Sequence, residues 1–186
     1  MGRTYAAIDD SLRAFLCRQP VFFTGTAPLT ADGHVNVSPK GLAGTFVVLS
    51  PTTVAYLDLT GSGVETIAHL RENGRITLMF CAFEGPPRIV RLAGRGTTVL
   101  ASDPRFAELR REFPTFDGAR SVVVVELDRI ADSCGYGVPQ MELVGDRAQL
   151  PEWAGRRGED GIAAYQREKN ASSIDGLVGM PSTEIP

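Results

Sequence analysis

Apolar residues fall into short runs separated by Gly, Pro and polar turns, a pattern typical of a chain rich in β-strands. The most regular run is SVVVVELDRI at residues 121–130, and further strands are predicted at residues 21–27, 34–40, 44–50, 53–59, 75–83 and 88–100. Residues 34–40 alternate strictly, so one face carries Val35 and Val37 and the other carries His34, Asn36, Ser38 and Lys40.

Helical spacing is confined to a few segments. Apolar residues between Ile8 and Leu16 predict a first helix that ends before Pro20. A second helix is expected after residue 63 with Asn73-Gly74 as its stop, a third opens at Asp103-Pro104, and a short one is expected at residues 162–169. Short turns join most strands, which favours antiparallel pairing. The fold class is therefore mainly β with peripheral helices, most simply a barrel.

Length and composition are those of one globular domain, with 186 residues, 43% hydrophobic residues and a net charge of −3. We expect residues 1–150 to form the domain and residues 151–186, rich in Gly and charge, to pack as a C-terminal extension on the barrel or on a dimer partner. The small net charge argues against nucleic acid as partner, and no apolar stretch is long enough for a membrane span.

The cellular location is predicted from the N-terminus and the cysteines. Residues 1–10 lack the apolar run of a signal peptide, and three widely spaced cysteines do not suggest a disulfide framework. Both features favour the cytoplasm.

Most catalytic and metal-binding motifs are missing from the sequence. It contains no GxxxxGK[ST], no GxGxxG between a strand and a helix, no CxxC and no GxSxG. His34 and His69 have no ligand at zinc spacing, so no metal site is predicted. If the chain performs chemistry, we expect a cofactor to carry it, and no catalytic side chain is assigned.

The stretch TGSGVE at residues 60–65 has two interpretations. Ser62 and Glu65 match a capping box, in which each side chain bonds a backbone amide at the helix start. Alternatively, Thr60, Gly61, Ser62 and Gly63 present amides and hydroxyls to a phosphate at the positive end of the helix.

Basic residues give a second indication of an anionic ligand. Lys40 ends the alternating strand, and its point charge suits a phosphate, although the polar face before it could simply face solvent. Arg91 and Arg95 share one face of a later strand and Arg88 begins that strand on the other face, which could equally be an exposed stripe paired with acids.

Three segments together resemble the pyridoxamine 5′-phosphate oxidase-like family of split-barrel flavoproteins. They are PLTADGHVNVSPKG, the long segment from AYLDLTGSG to RLAGRG, and SCGYGVP, within a match from Pro20 to Pro139. The resemblance implies a split antiparallel β-barrel of the FMN-binding type and a homodimer with FMN at the subunit interface. It also implies an oxidoreductase acting on a small-molecule substrate.

The resemblance further implies the cofactor-binding residues. They are His34, Asn36, Val37, Ser38, Lys40, Thr60, Gly61, Ser62, Gly63 and Arg88. Oxidases of pyridoxamine phosphate itself carry basic residues where this chain has Val64, Glu65 and Thr66, which argues against that activity. Two alternatives are a reductase using the deazaflavin coenzyme, whose longer acidic tail would engage Arg91 and Arg95, and a non-catalytic flavin- or heme-binding protein with His34 or His69 as iron ligand.

Overall fold

The computed structural model describes residues 2–185. Its strands are β1 Thr4–Tyr5, β2 Phe22–Thr26, β3 Asn36–Lys40, β4 Phe46–Ser50, β5 Thr53–Leu59, β6 Arg75–Cys81, β7 Ile89–Leu100 and β8 Ala119–Ser133. Its helices are α1 Asp10–Arg18, α2 Glu65–Asn73, α3 Phe106–Leu109 and α4 Gln149–Lys169, with 3₁₀ turns at Arg110–Glu112 and Ser182–Glu184.

The strands form one antiparallel sheet in the order β3-β2-β6-β7-β8-β5-β4, and β1 pairs with β8 beside this path. The sheet is rolled, because Phe46 of β4 contacts both Phe22 of β2 and Phe80 of β6 across the interior. No pairing joins β3 to β4 among residues 2–185, so the sheet is not closed. The predicted split antiparallel barrel is confirmed, but backbone closure of the barrel is not present.

The interior of the rolled sheet is filled by aromatic and aliphatic side chains. Phe22 stacks on Phe80 with ring centroids 5.1 Å apart and contacts the ring of Tyr56 edge-on. Leu12 and Leu16 of α1 belong to the same buried cluster, so α1 covers one end of the barrel. The helix begins where the Asp9 carboxylate accepts a hydrogen bond from the Leu12 amide, as an N-cap does.

The outer face of β5 and β8 is covered as well. Leu57 and Val122 pack there with Phe113, which follows the 3₁₀ turn Arg110–Glu112. Because both faces of these strands are buried, their sequences read as nearly continuous apolar runs rather than as alternation. A third cluster joins Ile67 of α2 to Met180 in the C-terminal segment.

Two helix predictions need correction. The helix predicted at Asp103-Pro104 starts only at Phe106 and has four residues, and the Asp103 carboxylate bonds Arg105 instead of capping a helix. The C-terminal helix is also longer than predicted, because α4 begins at Gln149 and continues across a kink at Gly158.

Candidate functional site

A buried ionic cluster lies where β3, β5 and β8 approach one another. One oxygen of Asp58 accepts a hydrogen bond from Lys40 Nζ at 2.8 Å, and the other accepts one from Arg120 Nε at 2.7 Å. Ser121 Oγ also donates to the second oxygen, at 3.3 Å. The side chain of Arg120 is only 5% exposed and that of Lys40 only 20% exposed. Two cations therefore share one carboxylate, and the cluster retains a positive charge.

The pKa of Asp58 is set by two opposing effects. Complete burial raises it, but the charges and hydrogen bonds of Arg120 and Lys40 outweigh burial and hold the pKa well below its usual range. Asp58 is therefore ionised at any physiological pH.

Arg120 and Asn170 hold the loop that precedes α2. Arg120 Nη1 donates to Asn170 Oδ1 at 2.9 Å, and Asn170 Nδ2 donates to the Gly61 carbonyl at 2.9 Å. The Thr60 hydroxyl donates to the Gly118 carbonyl and accepts from Gln166, so its hydrogen bonds are internal. The carbonyl of Gly61 thus points into the fold, towards the charged cluster.

The start of α2 differs from the predicted capping box. The helix begins at Glu65, its N-cap is Val64, and no side chain caps it. The predicted Ser62–Glu65 capping box is therefore wrong, because Ser62 lies two residues before the N-cap and Glu65 is the first helical residue. Glu65 Oε1 instead accepts a hydrogen bond from the Ile174 amide at 3.3 Å. The predicted stop is confirmed, since Gly74 ends the helix in the left-handed conformation.

The polar face of β3 is turned towards α2. Asn36 Nδ2 donates to Thr66 Oγ1 at 3.1 Å and to Thr26 Oγ1 at 3.2 Å, and Ser38 Oγ donates to Asn36 Oδ1 at 3.0 Å. The apolar face is the exposed one, since Val37 is 64% exposed, and Val35, directly before the strand, is 73% exposed. This face arrangement is the reverse of an ordinary half-buried strand, because the polar side chains of Asn36 and Ser38 are the half-buried ones.

The two histidines lie in different surroundings. His34 is exposed and its Nδ1 lies 2.7 Å from an Asp175 carboxylate oxygen, a contact that lowers the pKa of Asp175. His69 is fully buried in α2, with Nδ1 3.0 Å from Thr26 Oγ1 and no partner for Nε2 among residues 2–185. Burial lowers the pKa of His69, which is only partly offset by nearby carboxylates.

Arg88 lies apart from this cluster. Its guanidinium donates to the Tyr5 hydroxyl at 2.8 Å and to Asp132 at 3.2 Å, and none of its described contacts involves residues 60–63. Arg91 and Arg95 are exposed on β7 as predicted, but they bond Ser133 Oγ and the Asn73 carbonyl rather than acids.

Sequence reasoning missed Asp58, Arg120, Gln166, Asn170 and Asp175. A signal existed for the first two, because each is a charged residue within an apolar strand and buried charges require partners. No comparable signal marks Asn170 or Gln166. The segment around them carries no periodic pattern that relates it to a loop about a hundred residues earlier.

Within residues 2–185, no group of three or more His, Cys, Asp or Glu side chains is arranged to hold a metal ion. Over the same range, no helix has the length and hydropathy needed to cross a membrane.

Comparisons with known proteins agree on one family. Residues 8–134 match the family model described as pyridoxamine 5′-phosphate oxidase. The chain is 42% identical over 196 residues to the pyridoxamine 5′-phosphate oxidase family protein ustO of Aspergillus flavus, covering 96% of this chain and 78% of that protein.

Solved structures share the fold at low identity. HupZ of Group A Streptococcus superposes with a TM-score of 0.50 at 17% identity, covering 66% of this chain and 91% of HupZ. A Clostridium acetobutylicum protein related to general stress protein 26 of B. subtilis, of the pyridoxinephosphate oxidase family, gives 0.50 at 11% identity, covering 68% and 91%.

Proposed function

Because the chain belongs to the pyridoxamine 5′-phosphate oxidase family, we propose that it is an FMN-binding oxidoreductase that acts on a small-molecule substrate. In this proposal the protein works as a homodimer, with the flavin at the subunit interface. The bound flavin would supply the redox chemistry, and the residues of this chain would hold and orient it.

One observation carries the proposal, namely the positive charge left on the ionic cluster beneath the loop. Lys40 and Arg120 share the single carboxylate of Asp58. Uncompensated charge in a largely buried place is costly, and a phosphate group at the loop would neutralise it. The first amides of α2 add to the attraction, because they have no intrahelical partners and no side chain caps them.

Residue roles follow from the hydrogen bonds already made. Lys40 would contribute charge to the phosphate while remaining bound to Asp58, and Gly61, Ser62 and Gly63 would contribute backbone amides. Thr60 would act by fixing the loop, because its hydroxyl is already bonded to Gly118. Arg88 is given no role in phosphate binding, because its guanidinium already donates hydrogen bonds to Tyr5 and Asp132.

The strand β3 would lie along the remainder of the flavin. His34, Asn36, Val37 and Ser38 stay candidates for contacts to the ribityl chain and the ring. The Asn36 amide already bridges β3 and α2, so this face has a fixed geometry before any ligand binds. Pre-ordered donors reduce the entropy lost on binding.

The test compares FMN with riboflavin, which lacks the phosphate, by fluorescence titration of the purified protein. Lys40→Ala is expected to weaken FMN binding by at least about tenfold, a change of about 1.4 kcal/mol, and to leave riboflavin binding unchanged. Lys169→Ala is the matched control, since that exposed lysine pairs with Glu168 at the end of α4. Equal affinity of the wild type and Lys40→Ala for FMN would remove the phosphate role of Lys40.

The same preparation distinguishes the alternative cofactors. A wild-type protein that takes up neither FMN nor riboflavin would sink the flavin proposal. Uptake of the deazaflavin coenzyme, or of heme with loss of binding on replacement of both histidines, would then support the corresponding alternative.

A further inference from the structure

A second basic site lies on the outside of the barrel, away from the ionic cluster. It is a cavity of about 430 Å³ that we name the arginine cavity. Its charged lining residues are Arg3, Arg91, Arg129 and Asp132.

The register of the strands puts two cations side by side in this cavity. Arg91 of β7 is opposite Ala131 of β8, and Arg129 of β8 is opposite Ala93 of β7. The two guanidiniums therefore come from diagonal positions on neighbouring strands, a separation that long side chains can bridge. Placing like charges together in this way is unfavourable unless an anion lies between them.

No carboxylate of the cavity lining is free to compensate these charges. Asp132 is the one acidic residue of the lining, and its oxygens accept hydrogen bonds from the Arg3 amide, the Tyr5 hydroxyl and Arg88. Within residues 2–185, the side chain of Arg91 donates a hydrogen bond to the Ser133 hydroxyl at 3.0 Å and forms no ion pair. Arg129 has no ion pair among residues 2–185.

The cavity is also open enough to admit a ligand group. Ala93 and Ala131 lie beside the two arginines on the sheet surface. Their small side chains leave space between the two arginine side chains. Thr4, Thr77 and Ser133 add hydroxyl groups at its border. A guanidinium offers a planar pair of donors that matches the two oxygens of a phosphate or carboxylate.

We propose that the arginine cavity binds a small molecule through an oxyanion group, a phosphate or a carboxylate, held jointly by Arg91 and Arg129. Arg3 at the border contributes long-range attraction, and the hydroxyls give the group its orientation. This site is separate from the proposed flavin site, whose charges come from Lys40 and Arg120.

The test is calorimetric titration of the purified protein with inorganic pyrophosphate and, separately, with citrate. Wild type is expected to bind at least one of them saturably, and Arg91→Ala/Arg129→Ala to bind it at least about tenfold more weakly. Arg91→Lys/Arg129→Lys keeps the charge but loses the paired donors, so its affinity should lie between those of wild type and Arg91→Ala/Arg129→Ala. Arg111→Ala, an exposed arginine on another part of the surface, should behave as wild type.

Preference for pyrophosphate would assign the site to phosphate-bearing ligands, and preference for citrate would assign it to carboxylates. The Lys40→Ala variant should retain the interaction, which separates this site from the proposed flavin site. No saturable binding of either probe to wild type would overturn the proposal, as would affinity that is unchanged in Arg91→Ala/Arg129→Ala or lost in Lys40→Ala.

Discussion

At the scale of single residues, Asp58 is the most consequential polar group in the barrel. It lies between Lys40 and Arg120 and is almost inaccessible to solvent. We expect Asp58→Asn to lower the free energy of unfolding by about 3–5 kcal/mol, because it leaves two largely buried cations without their anion. Urea unfolding monitored by circular dichroism measures this change.

The matched control is Asp103→Asn, which removes a half-buried carboxylate paired with the exposed Arg105 at the surface. Surface pairs contribute little, so its effect should stay within about 0.5 kcal/mol. Acid should also distinguish the wild type from Asp58→Asn. The pKa of Asp58 is lowered in the folded state, so its stabilisation is complete above the unfolded value of about 4 and is lost as the pH falls below it. Parallel acid profiles for the two proteins would contradict this role.

His69 gives a prediction at higher pH. Burial lowers its pKa, so the unfolded chain binds a proton more readily than the folded chain below the ordinary value of about 6.5. Stability should therefore decrease as the pH falls through 6.5 towards the lower folded value. NMR titration of the His69 ring is the direct measurement, and a midpoint at or above about 6.5 would refute the prediction. In addition, His69→Gln should reduce the slope of stability against pH in this range.

At the scale of elements, the end of α2 tests how far backbone conformation alone determines stability. Gly74 has φ of 69°, and a Cβ there would meet nothing closer than 3.6 Å, so the only penalty for Ala is conformational. We expect Gly74→Ala to cost about 1 kcal/mol, seen as a lower midpoint in urea. Gly137→Ala, where a Cβ would have no neighbour within 4 Å, is the control and should be nearly neutral. Equal effects at both positions would disprove the argument.

Element boundaries were predictable where local chemistry decides them. Strand β5 matches its predicted range, and Pro20 and Gly74 stop helices where expected. The failures have long-range causes. The short strand β1 exists because Thr4 and Tyr5 pair with β8. The helix α4 begins at Gln149 without a side-chain cap. Neither feature leaves a local pattern.

Only part of the candidate site was predictable from the sequence. The strand ending at Lys40 and the loop at residues 60–63 carry recognisable residues. Their supporting residues come from elsewhere in the chain, since Asn170 reaches Gly61 and Asp175 reaches His34. These pairings depend on how the C-terminal segment packs on α2, which is a tertiary property. The site thus combines β3, the end of β5 with its following loop, β8 and the C-terminal segment, and the sequence indicated only the first two.

At the scale of the whole molecule, the barrel is split rather than closed, and side chains connect the two edges of the sheet. The Lys40–Asp58 ion pair and the Phe22–Phe46 contact span the gap that backbone hydrogen bonds would fill in a closed barrel. The edge strand β3 is left with a free side, and edge strands that expose apolar residues tend to be covered. Because the polar face of β3 is half-buried, Val37 and the preceding Val35 lie on the outside.

We expect a second copy of the chain to cover this edge, in keeping with the proposed homodimer. Val35→Asp/Val37→Asp should then shift the protein from dimer to monomer in sedimentation velocity, because charges would be buried at the interface. The affinity for FMN should decrease together with dimerisation if the flavin lies between subunits. Ala107→Asp, on the exposed side of α3, adds a charge elsewhere and should leave both properties unchanged. A Val35→Asp/Val37→Asp protein that stays dimeric would show that β3 lies outside the interface, since a buried pair of carboxylates at that edge could not be tolerated.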